Sequence, residues 1–450
     1  MKVDKVSEGR DDISVATTGA LYVIKKSCSE GEILCYQNLN EKRLVATLHI
    51  NVPLDRLMVE WEDGENCIIH QEGYLGPDVT IRMNCDSILS VTSGRALQAT
   101  YTGEIPYEYA VVEHGNFIVA DQEGGVGAYP LGMTGMAPPP TSVSFSGKTW
   151  RVSLSLASNQ RFLTSVFPPR PFDWKKSFKE RIVHHYSYGK PYPSDEELEE
   201  WSNYGNIMVL HENVWHGKYT RTGKVLKSMR DAYGDASWNS RRYVPRDEVE
   251  LRRVVESAHQ NGMKLLLYMS PYYFIGEPEE YMKEISSVIK KYRFDGLYWD
   301  GISVDVWKGY QAIRSFREIM EDKTLYVHHP TTVGSLGRSP IPCPFIDTYA
   351  DYTLKAEHVK DVGQKYLRYY VSGYNMGNSV GYLCNYDYPL TQGLVDQVLE
   401  ANVRLPYWVY DLTELKEKED WHVKVELQKS MRELYFPKLD AVERTKLGYC

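Results

Sequence analysis

The chain lacks the marks of several common protein classes. None of its seven cysteines, at 28, 35, 67, 85, 343, 384 and 450, forms a Cys-x-x-Cys pair or falls at metal-ligand spacing. That argues against a zinc module or a thiol redox motif and fits free or buried thiols in a reducing compartment. No apolar run is long enough to span a bilayer, so no membrane partner is expected. The opening residues, Met1-Lys2-Val3-Asp4-Lys5-Val6-Ser7-Glu8, lack the apolar core of a secretory signal, and a cytoplasmic location is expected. Basic charge is not in excess. The formal net charge is -8, which disfavours a nucleic-acid partner. No Gly-x-Gly-x-x-Gly follows a strand-like segment, so a doubly wound sheet is the weaker alternative and no cofactor is expected. There is no internal repeat and no low-complexity tract.

Tyrosine is abundant instead, at 35, beside 10 tryptophans. Such rings offer flat apolar faces with a polar edge, which suits sugars, although many must simply fill cores. A length of 450 residues is comfortable for two domains. Residues 1–165 read as an N-terminal all-β sandwich: short segments such as Gly19 to Ile24, Leu44 to Ile50 and Trp150 to Leu156 are separated by Gly, Asn, Asp and Pro. A Pro-rich linker, 166–177, follows, with Pro168, Pro169 and Pro171 opposing helix.

From 178 to 450 the rhythm changes to strand, loop, helix. Eight strands are expected, at Arg181–Tyr186, Asn206–His211, Met263–Tyr268, Gly296–Trp299, Leu325–His329, Phe345–Tyr349, Ser379–Leu383 and Tyr407–Tyr410. Amphipathic helices fall between them. Pro245 to Gln260 carries Val249, Leu251, Val254, Val255 and Ala258 at helical spacing and stops at Asn261-Gly262. Eight strands in this length predict a (β/α)8 TIM barrel of the α/β class.

In such a barrel, chemistry sits at the carboxyl ends of the strands. Those ends are polar or aromatic here, and a mere scaffold has no reason to bear the desolvation. Cleavage of a glycosidic bond needs two carboxyl groups, one ionised and one protonated. Asp300, closing Phe294-Asp295-Gly296-Leu297-Tyr298-Trp299, is the candidate nucleophile, and Asp351 or Glu357 is the acid partner. Asp295 reads as a strand-start residue. His185, Tyr186, His211, Glu212, Trp215, Tyr268, Tyr272, Trp299, His329, Asn385 and Asp387 are the candidate sugar-binding residues, with Glu212 a third option for the acid. Within His184-His185 and His328-His329, one side chain points into the barrel and one away. The expected partner is a carbohydrate, with no metal. Two other classes compete: a metal-dependent hydrolase or lyase using His185, His211 and His329, and a non-catalytic carbohydrate-binding barrel.

A β-sandwich followed by a barrel carrying Lys264-Leu265-Leu266-Leu267-Tyr268 and Gly296-Leu297-Tyr298-Trp299-Asp300 resembles the retaining α-galactosidase clan of glycoside hydrolases and its distant relatives, the endo-α-N-acetylgalactosaminidases. The resemblance implies a nucleophile at the end of the fourth strand, where Asp300 stands. It implies an acid/base after a later strand, typically the sixth, where the segment from Asp351 to Glu357 stands. The motifs depart from the clan. Its usual Lys-x-Asp is Tyr298-Trp299-Asp300 here, and the acids and tryptophans after its first strand are replaced by His185, Tyr186 and Tyr188. The expectation is therefore hydrolysis of a terminal glycosidic bond without a commitment to galactose.

Overall fold

A computed structural model describes residues 3–61, 67–71, 79–83, 88–104, 107–113, 115–131, 139–171, 173–185, 190–211, 214–215, 243–269, 278–301, 306–328, 343–356, 363–372, 379–384, 390–410 and 421–448. The chain is mixed α/β. Two eight-stranded antiparallel sheets come first, and an eight-stranded parallel sheet follows them. No helix among the described residues is long and apolar enough to cross a membrane.

The two antiparallel sheets share an apolar core. Thr149–Leu156 shows why: Trp150, Val152, Leu154 and Leu156 alternate with exposed or half-exposed residues and face inward. Asn116–Ala120 and Gly125–Pro130 differ, being buried at every position. Continuous apolar runs of this kind are expected where both faces of a strand are covered. Phe117, Val119, Val126 and Ala128 face the first sheet, while Ile118, Ala120, Tyr129, Leu163 and Phe167 join the core of the parallel region. Each large apolar side chain removed from water there contributes about 1.5–3 kcal/mol.

The Pro-rich stretch is short. A strand runs through Phe167 and the first helix, α1, starts at Trp174. The parallel strands that follow are β1 (Ile182–His185), β2 (Ile207–Leu210), β3 (Lys264–Met269), β4 (Gly296–Asp300), β5 (Thr324–His328), β6 (Tyr352–Lys355), β7 (Val380–Leu383) and β8 (Tyr407–Val409). The remaining helices are α2 (Asp195–Ser202), α3 (Glu248–Gln260), α4 (Pro278–Tyr292), α5 (Val306–Ile319), α6 (Pro344–Asp347), α7 (Gln392–Glu400), α8 (Trp421–Ser430) and α9 (Phe436–Leu447), with π-helical turns at Tyr366–Val371 and Met431–Tyr435. The helix expected from Pro245 to Gln260 is α3, where Asp247 caps by accepting from the Val249 and Glu250 N–H groups at 2.9 and 3.0 Å.

The parallel sheet pairs in the order β7-β6-β5-β4-β3-β2-β1-β8 and is strongly curled. The His184 ring on β1 meets the Tyr298 ring on β4 at 4.7 Å between centroids, across the concave face. The two outer strands also come together. The Arg404 N–H, just ahead of β8, donates to Gly381 O at 2.9 Å, and the Leu383 N–H donates to Arg404 O at 2.8 Å. Gly296 lets β4 and β5 close up, since a Cβ there would lie 2.0 Å from Thr324 O.

One expected strand is displaced. Phe345–Tyr349 contains the short helix α6 and its exit, and the sixth strand begins at Tyr352. Both stretches are short and apolar, so periodicity could not separate them. Tertiary packing decides: Asp347 at the end of α6 and Lys355 at the end of β6 form a fully buried ion pair of 2.7 Å.

Candidate active site

Asp300 is the last residue of β4. Gly301 follows with φ of +82°, a left-handed turn suited to glycine, and the strand ends there. The carboxylate remains partly open, at 26% side-chain exposure. The Tyr268 hydroxyl, from the neighbouring β3, donates to Asp300 Oδ2 at 2.6 Å. On the other side, His328 Nδ1 at the end of β5 lies 3.0 Å from Asp300 Oδ1. Tyr298 Oη lies 2.6 Å from that same nitrogen. The carboxylate is thus flanked by groups on both neighbouring strands, and the Tyr268 hydrogen bond stabilises its negative charge and fixes its orientation.

Below Asp300 the concave face is aromatic. Tyr298 packs on Tyr326 at 4.8 Å and on Tyr268 at 5.7 Å, and His184 lies 4.3 Å from Trp408. His184 is buried, and neither ring nitrogen has a hydrogen-bond partner among the described residues. Burial, helped by the neighbouring His211 and His328, pushes its pKa well below the usual histidine value, against the pull of Asp300. The ring is neutral at pH 7. His211 sits over Tyr268 at 4.4 Å, nearer the open end.

The expected site residues divide. Asp300, Tyr268 and His211 lie together on the concave face. Four others do not. His185 packs its ring on Trp201 of α2, 5.5 Å away, in the helix layer. Trp299 is fully buried with its ring toward Tyr281 of α4 at 6.4 Å, on the outer face of β4. Trp215 is buried against Tyr243, Tyr292 and Phe294, again outside the sheet. Asp351 precedes β6 and lies at the amino end of the sheet, where its Oδ2 accepts from the Leu325 N–H at 2.8 Å and from Arg317 Nη2 at 3.0 Å. It is therefore not the partner of Asp300 across a bond. Tyr186, Glu212, Tyr272, His329, Glu357, Asn385 and Asp387 fall outside the described residues.

The misplacements of His185 and Trp299 share one cause. Residues in register across a parallel sheet lie on the same face, and the face alternates along each strand. Asp300 pairs with His328, Tyr298 with both Tyr268 and Tyr326, and His184 with Trp408. Starting from Asp300, counting in twos selects Tyr298 and rejects Trp299. The same count selects His328 and His184, both absent from the expected set, and rejects His185.

No family model matches this chain, and no curated protein does. Solved structures match by shape alone. An uncharacterized protein from Listeria monocytogenes is 10% identical with a TM-score of 0.40, over 99% of this chain and 54% of that one. A cycloalternan-forming enzyme from Listeria monocytogenes is 10% identical with a TM-score of 0.36, over 90% and 51%. A Flavobacterium johnsoniae GH31 dextranase is 8% identical with a TM-score of 0.37, over 99% and 70%. The chain spans about half the length of the first of these. A tryptophan synthase α-subunit from Pyrococcus furiosus scores 0.34, so glycoside hydrolases recur among the neighbours beside other functions. At such scores the likeness carries no argument about chemistry, which rests on the site.

Among the described residues, no group of three His, Cys, Asp or Glu side chains could hold a metal ion. Of the histidines considered as metal ligands, His185 faces the helix layer whereas His211 lies on the concave face. What the concave face offers is an oriented carboxylate beside aromatic rings. That arrangement can stabilise a developing positive charge or attack an electrophilic carbon.

Proposed function

We propose that the protein is a retaining glycoside hydrolase acting on a terminal sugar, with Asp300 as nucleophile and Glu357 as acid/base. In this reading the parallel sheet is a (β/α)8 barrel, residues 178–450, joined by the segment 166–177 to an N-terminal β-sandwich, residues 1–165. The observation that carries it is the carboxylate of Asp300, gripped by Tyr268 and His328 at the carboxyl end of a middle strand.

Asp300 Oδ attacks the anomeric carbon as the bond to the leaving oxygen breaks, and Glu357 gives that oxygen its proton. Water, surrendering a proton to Glu357, then displaces Asp300 from the anomeric carbon. Tyr268 on Oδ2 and His328 beside Oδ1 orient the attacking carboxylate, and the ring-lined floor excludes bulk water. Tyr186, His211, Glu212, Tyr272, His329, Asn385 and Asp387 contact the sugar from the rim. The N-terminal sandwich takes no part in the chemistry.

A panel of aryl glycosides finds the sugar, and proton NMR of the first product then reads the anomer. Net retention is expected, and inversion would remove the nucleophile role. Azide added to Glu357→Ala should yield a glycosyl azide of retained configuration. Failure to turn over any aryl glycoside, with calorimetry still showing sugar binding, would favour the non-catalytic reading.

A further inference from the structure

A second cavity lies away from Asp300, where the antiparallel region meets the amino-end side of the parallel sheet. Its volume is about 680 Å³, within the range of small-molecule sites. Glu108 of the antiparallel region forms one wall. Opposite stand Lys175 of α1, Lys365 just ahead of the first π-helical turn and Arg368 within it, Glu400 at the end of α7 and Lys446 of α9. π-Helical turns are rare and concentrate at functional sites.

The charge of this cavity runs against that of the chain. Four cations and two carboxylates line it, whereas the whole protein carries -8. Both carboxylates accept hydrogen bonds from uncharged donors. Glu108 accepts from the Tyr369 hydroxyl and from Gln122 Nε2, and these bonds, with the nearby charges of Arg368 and Lys365, hold its pKa below the usual carboxylate value. Glu400 accepts from Gln364 Nε2 at 3.1 Å. Lys365 Nζ donates to a neutral acceptor, the Glu108 carbonyl, at 2.9 Å. Lys175 and Lys446 make no ion pair with a described residue. With four cations against two carboxylates the lining carries a net positive charge, which concentrates anions.

We propose that this cavity binds a small polyanion of the phosphoryl type, recognised by Lys175, Lys365, Arg368 and Lys446. Binding would bridge the antiparallel and parallel regions through the one ligand. The proposal is independent of the chemistry at Asp300.

The test is isothermal titration of the full chain with pyrophosphate and with inorganic phosphate, against sodium chloride of matched ionic strength. Pyrophosphate should bind at one site per chain and raise the melting temperature, with inorganic phosphate weaker. Lys175→Glu/Lys446→Glu changes two exposed residues and should leave the fold and the unliganded melting temperature unchanged. It should weaken pyrophosphate at least tenfold. Equal effects of chloride and pyrophosphate, or unaltered affinity in the double variant, would overturn the site.

Discussion

The two ends of the parallel sheet both carry aspartates, and they use them differently. At the amino end, Asp295 and Asp351 do the same work on different strands. Asp295 Oδ2 accepts from the Leu265 N–H at 2.8 Å, and Asp351 Oδ2 accepts from the Leu325 N–H at 2.8 Å. Each is completed by a cationic or ring partner, His259 or Arg317. These carboxylates satisfy backbone donors that the sheet leaves over where a strand begins. At the carboxyl end, Asp300 is held by a phenol and an imidazole, with the concave face open before it. Carboxylates committed to the backbone cannot move or react without opening the sheet. One held by side chains is oriented and still accessible.

Substitutions that separate the two ends follow from this. The largest effect is expected at Asp300. Asp300→Asn keeps the size and an acceptor but removes the nucleophile, so turnover should fall roughly 10³-fold or more while the melting temperature changes little. Near-normal turnover with a lowered melting temperature would make Asp300 a structural residue like the other two.

Tyr268→Phe comes next. It removes the donor at 2.6 Å and leaves the ring packing on His211. Turnover should drop about 10²-fold, the lower end of the scale for one positioned charge-stabilising donor, roughly 10²- to 10³-fold. A hydrogen bond to a carboxylate favours its ionised form, so losing it raises the pKa. The acid limb of the pH–rate profile should therefore move to higher pH. An unmoved limb would mean that Tyr268 does not hold the reacting group.

Smaller effects, confined to stability, are expected at the amino end. Asp351→Ala strands the Leu325 N–H and Arg317 and should cost about 1–3 kcal/mol. Asp295→Asn keeps an acceptor for Leu265 and loses only the charge opposite His259, worth about 1 kcal/mol or less at a half-exposed pair. Thermal melting measures both, and turnover per folded molecule should be that of the parent chain. A large loss of turnover in folded Asp351→Ala would return it to the reacting centre.

Much of this was legible in the residues. Seven of the eight parallel strands fall where apolar runs and turn residues place them, since burial on both faces leaves an unmistakable run of Val, Ile, Leu and aromatics. Asp300, Tyr268 and His211 could be chosen because they end such runs. The sixth strand could not be located, since an apolar stretch of four residues reads equally as one helical turn. That displacement moved Asp351 from the carboxyl end, where it was expected, to the amino end.

What the sequence determined by itself is therefore the set of elements and the polar strand ends, because these follow from local burial and turn chemistry. The tertiary structure alone decided the facing of each side chain. In a half-buried strand, alternation of apolar and polar residues reveals the inner face. Here Tyr298 and Trp299, or His184 and His185, are equally apolar or equally polar, and helices cover the outer face as completely as rings fill the inner one. Only the register between strands, Asp300 beside His328 and Tyr298 beside Tyr326, breaks that tie. It turns His184, Tyr298 and His328 inward, and His185 and Trp299 toward the helices.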